Sequence, residues 1–135
     1  VGLPGYLTWD ELREMAGKGF DVQSHTKSHA SLTDLSDTDL KKELAEAKES
    51  IEKEIGKKAE FFAYPTGAYN LHIAELARDA GYKAAFTVKY GNTDEASNLY
   101  ALERVPVFRT DFVMKSFRER LIYTPLLAGS GWRKS

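Results

Sequence analysis

His25 and His29 are the residues of this chain whose type and spacing best suit chemistry. Neutral imidazoles are common ligands for zinc and similar divalent metals, and a His-x-x-x-His spacing brings two of them onto one ion when the intervening residues turn helically. A catalytic zinc takes at least three protein ligands, usually with a carboxylate or another His as the third, so the pair is an incomplete set. In a polar, Ser/Thr-flanked turn the same two rings can equally be solvated surface residues. The third histidine, His72, stands beside Asn70 in the first turn of an expected helix, where a structural or exposed role is the better reading. There is no cysteine, which leaves His and carboxylate as the only strong ligands.

The elements that must position these residues follow from periodicity and caps. Thr8-x-x-Glu11 is a capping-box pattern, and Leu12, Met15 and Ala16 share one face of a helix expected from about Trp9 to Lys18. Phe20 and Val22 alternate as a short strand, which places His25 at or just past its C-terminal end. Ser36 caps a long helix with Leu40, Leu44, Ala47, Ile51 and Ile55 inward and a Lys/Glu-rich outer face that reads as solvated surface. Phe61 to Ala63 is the next strand, and Pro65 bars its regular continuation. Asn70 then caps a helix carrying Ile73, Leu76, Ala77 and Ala80, ended by Gly81. Further strands are expected over Tyr82 to Val88 and Leu102 to Val107. Thr110 caps a last helix with Val113, Met114, Phe117 and Leu121 inward, and a flexible tail follows at 128–135. This alternation predicts an α/β domain over 1–127 with a parallel sheet. Four strands cannot close a barrel, so open sheet edges need covering by another segment or chain, self-association included.

Composition narrows the function classes. With 135 residues, 42% of them hydrophobic, the chain suits one globular domain. A formal net charge of -1 with scattered basic residues argues against nucleic acid as a partner. No run approaches the roughly eighteen apolar residues of a membrane span, and no signal pattern is visible. The chain begins at Val1 rather than Met and is expected to be a processed or excised piece.

Several stretches resemble one family. Ser24-His25-Thr26-Lys27-Ser28-His29, preceded by Leu7-Thr8-Trp9-Asp10-Glu11-Leu12-Arg13-Glu14-Met15, is similar to the metal-binding motif of the polysaccharide deacetylases of carbohydrate esterase family four. The likeness continues through Phe61-Phe62-Ala63-Tyr64-Pro65-Thr66-Gly67-Ala68-Tyr69-Asn70, Asp79-Ala80-Gly81-Tyr82 and Leu102-Glu103-Arg104-Val105-Pro106-Val107. The family fold is a distorted (β/α) barrel, and the resemblance implies that this chain is about its C-terminal half. It further implies that His25 and His29 bind a divalent metal, zinc first, with cobalt, nickel or manganese as alternatives. The Thr66 N–H would donate to the acyl oxyanion, a role that a backbone group keeps whatever its side chain. Tyr64, Pro65, Tyr69 and Arg104 are the candidate substrate contacts. Loop aromatics serve as packing lids as often as sugar platforms, and an arginine at the Leu-x-Arg position can be a surface or ion-pairing residue.

Departures from the family pattern matter as much. Its Asp-Asp pair, source of the base and the third metal ligand, occurs nowhere in this sequence, and neither does its acid histidine in a Leu-x-His or Tyr-His segment. Where many members have Arg-x-Pro-Tyr-Gly, this chain has Ala63-Tyr64-Pro65-Thr66-Gly67, as in the Phe-Ala-Tyr-Pro branch that includes poly-N-acetylglucosamine deacetylases. The expectation is therefore part of a metal-dependent hydrolase, extracellular or at the cell surface, that removes N-acetyl groups from an acetylated amino-sugar polysaccharide such as poly-N-acetylglucosamine, peptidoglycan or chitin. The chain alone is expected to be inactive. The alternatives are a non-catalytic carbohydrate-binding domain and a structural α/β domain derived from the same fold.

Overall fold

Helix α1 (Trp9–Gly17) begins at the expected capping box. The Glu11 amide donates to Thr8 Oγ1 at 3.3 Å, and the Glu11 carboxylate accepts the Thr8 N–H at 2.7 Å. Helix α2 (Asp37–Ile55) starts on Ser36 Oγ and stops at Gly56 in the left-handed region, φ 72°. Helix α3 (Leu71–Asp79) starts on Asn70 Oδ1, which accepts the Ile73 N–H at 2.9 Å. In this computed structural model residues 1–107 and 117–119 are described. Of the helix expected after Thr110, residues 117–119 are helical; the rest of it and the expected tail lie outside the described residues.

The sheet contains β1 (Phe61–Ala63), β2 (Ala84–Tyr90) and β3 (Leu102–Arg104), all parallel, in the order β1-β2-β3. Phe62 lies opposite Ala85, and Phe86 opposite Leu102. The first part of β2, Ala84 and Ala85, is buried as in a sheet covered on both faces.

The strand expected through Phe20 and Val22 is reduced to a single parallel bridge between Ser24 and Phe62. The reason lies in how α1 ends. Gly19 takes φ 93°, and the Phe20 amide turns back to the Met15 carbonyl at 3.1 Å, so Phe20 serves the helix cap and its side chain stays exposed. One rung later the Phe61 amide is taken by the Gln23 side chain at 2.8 Å instead of a backbone carbonyl. Only at Ser24 does backbone pairing form, with Ser24 N–H to Phe61 O at 3.2 Å and Ala63 N–H to Ser24 O at 3.0 Å.

The same device shifts β2. Gly81 sits at φ 82° and the Tyr82 amide donates to Ala77 O at 3.2 Å, so Tyr82 closes α3 and the strand begins at Ala84 rather than at Tyr82. At the other margin β3 stops at Arg104, ahead of Pro106, which has no N–H for a ladder.

Leu32, Leu40, Leu44, Phe62, Tyr64, Ile73, Leu76, Ala77, Tyr82 and Ala85 form the core between the sheet and the helices. The inner stripe of α2 is buried at Leu40, Leu44 and Ala47 and half-buried at Ile51 and Ile55. Tyr82 is the polar pin of this core. Its hydroxyl lies 2.8 Å from Ser24 Oγ and 2.9 Å from the Leu44 carbonyl oxygen. Burial pushes its ionisation up to about 12, so the phenol stays protonated near neutral pH and ties the Ser24 bridge to α2.

Candidate functional site

Two loops leave neighbouring rungs at the C-terminal end of the sheet, the end where parallel α/β folds gather reactive groups. One follows Ser24 and carries His25 and His29. The other follows Ala63 and carries Thr66 and Tyr69. They are joined directly, since His25 Nδ1 lies 2.7 Å from the Ala63 carbonyl oxygen. A carbonyl can only accept, so Nδ1 bears the proton and, in the neutral ring, Nε2 presents its lone pair outward. This is the arrangement by which a backbone carbonyl orients a metal-binding imidazole.

The rings of His25 and His29 are brought together, with centroids 4.9 Å apart and an interplanar angle of 72°. Both side chains are exposed. The expected helical turn between them is absent. Thr26 (φ 66°) and His29 (φ 62°) both adopt the left-handed region, and the chain folds back sharply between them. That conformation costs roughly 1–2 kcal/mol for each non-glycine residue, so it persists only where other bonds hold it. Here the His29 amide donates to Thr26 Oγ1 at 3.0 Å. From α2, the Glu43 carboxylate accepts the Lys27 N–H at 3.0 Å, the Ser28 N–H at 2.9 Å and the Ser28 hydroxyl at 2.7 Å. Lys27 Nζ pairs with Glu46 one turn along the same helix. Burial works to raise the Glu43 pKa, but the Ser28 and Lys27 hydrogen bonds outweigh it and hold the carboxyl below its ordinary value. Glu43 and Glu46 therefore depart from the purely solvated role expected of the charged face of α2. Glu43 was legible in principle. It occupies the i+3 slot of the stripe Leu40, Glu43, Leu44, Ala47, a buried-side position that a carboxylate holds only with partners.

As a metal site the pair fits two ligands of a larger set. Among the described residues no group of three His, Cys, Asp or Glu converges. His72, the remaining histidine, has Nε2 2.8 Å from Asp37 Oδ1, linking the first turns of α3 and α2, which is the structural role its position implied. On one side His25 and Thr26 border a groove walled by Trp9, Leu12, Val22, Ala47 and Ile51.

In the second loop, Thr66 takes φ 56° and ψ 0° within the turn Pro65–Gly67. Its hydroxyl donates to the Pro65 carbonyl at 2.6 Å, and among the described residues nothing accepts its backbone N–H. Tyr64 and Pro65 do not face outward. Both are buried, Tyr64 at 2% exposure, and the Tyr64 hydroxyl donates to the Tyr100 carbonyl at 2.9 Å, so their side chains pack the core and cannot touch a ligand. Tyr64 instead backs Tyr69, which stacks on it at 4.9 Å and 20° and remains 37% exposed. Arg104 is exposed at the end of β3, in a groove with Val88, Val105, Pro106 and Val107; among the described residues no carboxylate pairs with it.

Gly67 holds this loop down on β2. It sits at φ 77°, and a Cβ placed there would lie 2.3 Å from Val88 Cγ2. Gly67→Ala is expected to cost about 1–3 kcal/mol in a urea melt, from overpacking and the left-handed backbone together. Adding Val88→Ala should recover only part of the steric share, because Val88 Cβ itself would stand 2.9 Å from the new Cβ and the backbone strain remains.

A model of the polysaccharide deacetylase family matches residues 5–85. YxkH of Bacillus subtilis strain 168, which bears the polysaccharide deacetylase name, is 30% identical over 107 residues, covering 79% of this chain and 38% of its own length. Streptococcus pyogenes deacetylase PplD, solved in complex with acetate, superposes with a TM-score of 0.81 at 27% identity, over 91% of this chain and 52% of that one. A polysaccharide deacetylase from Bacillus cereus gives 0.80 at 30% identity, over 90% of this chain and 38% of that one. The chain thus spans about half or less of the length of these relatives, and its parallel sheet is part of their barrel fold.

Proposed function

The chain belongs to the polysaccharide deacetylase family, and on that premise we propose that it is part of a metal-dependent enzyme removing N-acetyl groups from a GlcNAc-containing polysaccharide. The observation that carries this reading is the converged His25–His29 pair with the His25 tautomer set by the Ala63 carbonyl. The two imidazoles would supply two protein ligands to a divalent ion, zinc first, and a third comes from outside the described residues. Such an ion, when bound, polarises the acyl oxygen and lowers the pKa of its water.

The residues of this chain have separate tasks. Thr66 offers, in the second loop, an N–H that nothing accepts among the described residues, suited to an oxyanion. Tyr69, braced by Tyr64, offers a rigid aromatic face for a sugar ring. Arg104 stands on the groove bordered by Val88, the residue that packs on Gly67, and would meet substrate there. No general base or acid is assigned to this chain. The edge beyond β3, which pairs with no further strand among the described residues, and the single bridge at Ser24 would be covered by the rest of a longer chain or by a second copy. The acetylated polymers that fit this reading lie in cell envelopes, which puts the enzyme outside the cell or at its surface.

An acetate-release assay on N-acetylated chito-oligomers tests the proposal. The 135-residue chain alone is expected to release none, whereas a longer chain that supplies an Asp-Asp pair should release acetate and lose that activity on chelation. Turnover by the isolated chain would overturn the division of labour. Unchanged sugar affinity after chelation, without any acetate release, would favour the carbohydrate-binding alternative.

A further inference from the structure

We propose that Glu43 is the positioning residue of the histidine pair, its carboxylate filling the reverse turn between His25 and His29 and holding the backbone form in which the two rings converge. Three donors from two consecutive residues end on this one side chain: the Lys27 amide, the Ser28 amide and the Ser28 hydroxyl. The turn has few other ties. Thr26 Oγ1 takes the His29 amide from within the turn itself, and Lys27 Nζ reaches Glu46 only at the end of a long exposed side chain. Thr26 and His29 flank the clamped residues and are the two held at positive φ, so release of Lys27 and Ser28 would let both relax to ordinary backbone and swing the rings apart. Glu43 is well placed for the task. It is half-buried on a helix whose Leu40, Leu44 and Ala47 are locked in the core, and the Leu44 carbonyl is bonded to Tyr82, which also holds Ser24 next to His25. Both ends of the histidine turn are thus referred to one helix.

The consequence for metal affinity rests on the reading of the pair as a ligand site, whereas the ring geometry can be tested without metal. In the metal-free chain, nuclear Overhauser contacts between the His25 and His29 rings and slow hydrogen exchange at the Lys27 and Ser28 amides are expected. Glu43→Ala should erase the ring contacts and speed exchange of both amides at least about tenfold, while Glu46→Ala leaves them in place. Glu43→Gln, which keeps an acceptor oxygen, should restore most of the ring contacts, an outcome that simple loss of helix stability would not produce. In a zinc titration, Glu43→Ala is expected to weaken binding about 10- to 100-fold, the range for residues that orient a ligand. The clamp is overturned if Glu43→Ala keeps the ring contacts and slow amides. Should that variant not fold, free exchange of the Lys27 and Ser28 amides in the unaltered chain overturns it equally. Retained ring contacts with no zinc binding even by a longer chain that supplies the third ligand would sink the metal reading and leave the clamp standing.

Discussion

Replacing His29 by alanine is expected to abolish one-to-one zinc binding near neutral pH, a loss of more than about a hundredfold in affinity. The basis is coordination number. With no third acidic or imidazole group converging among the described residues, the two imidazoles and one outside ligand make up the three that a stable site takes, and the substitution leaves this chain contributing a single His25 nitrogen. His25→Ala should have the same effect and also frees the Ala63 carbonyl. His72→Ala serves as the control, because His72 is tied to Asp37, and its zinc isotherm should match that of the unaltered chain. A direct titration against a competing chelator reads all three. Equal zinc affinity in His29→Ala and the parent sequence would remove the pair from the site.

The second large effect is on stability. Phe62→Ala is expected to cost about 3–5 kcal/mol, the usual range for deleting a buried phenyl ring, which is a large share of a typical domain stability of about 5–15 kcal/mol. Phe62 is 1% exposed and stands at the middle of the aromatic cluster, edge-on to Tyr64 at 5.0 Å and tilted against Tyr82 at 5.3 Å. It is also the bridge partner of Ser24 and the neighbour of Ala63, so the cavity would open beneath both site loops. Phe62→Leu retains most of the volume and should cost appreciably less. Urea denaturation followed by circular dichroism measures both variants, and a cost below about 1 kcal/mol for Phe62→Ala would mean the ring is not a keystone.

These two expectations draw on different levels of information. Helices were legible because their signals are local. Thr8 with Glu11, Ser36, and Asn70 each place a side-chain acceptor where the first helical amides lack partners, and the core stripes recur at helical spacing. Strand margins were less legible because a strand begins only where its amides are free. Gly81 was visible as a helix stop, but the amide of Tyr82, like that of Phe20 after Gly19, turns out to be consumed in closing the preceding helix, which shortens or moves both strands. Three parallel strands and one bridge stand where four strands were expected.

For the site, the sequence by itself determined which groups are available: two imidazoles four residues apart, a Pro-Thr-Gly turn after an apolar strand, and no cysteine to compete as ligand. It also carried the family through ordered local motifs. Only the tertiary structure decided how those groups stand. Ala63 O meets His25 across 38 positions and Glu43 meets Ser28 across 15, and such pairings depend on how α2 and β1 pack rather than on any local pattern. Burial likewise separated Tyr64 from Tyr69, two loop tyrosines alike in sequence, because one ring fills the space beneath the sheet end and the other is left to cover it. Propensity and spacing act over a few residues, whereas ring convergence and tautomer are set by contacts that exist only once the core has closed.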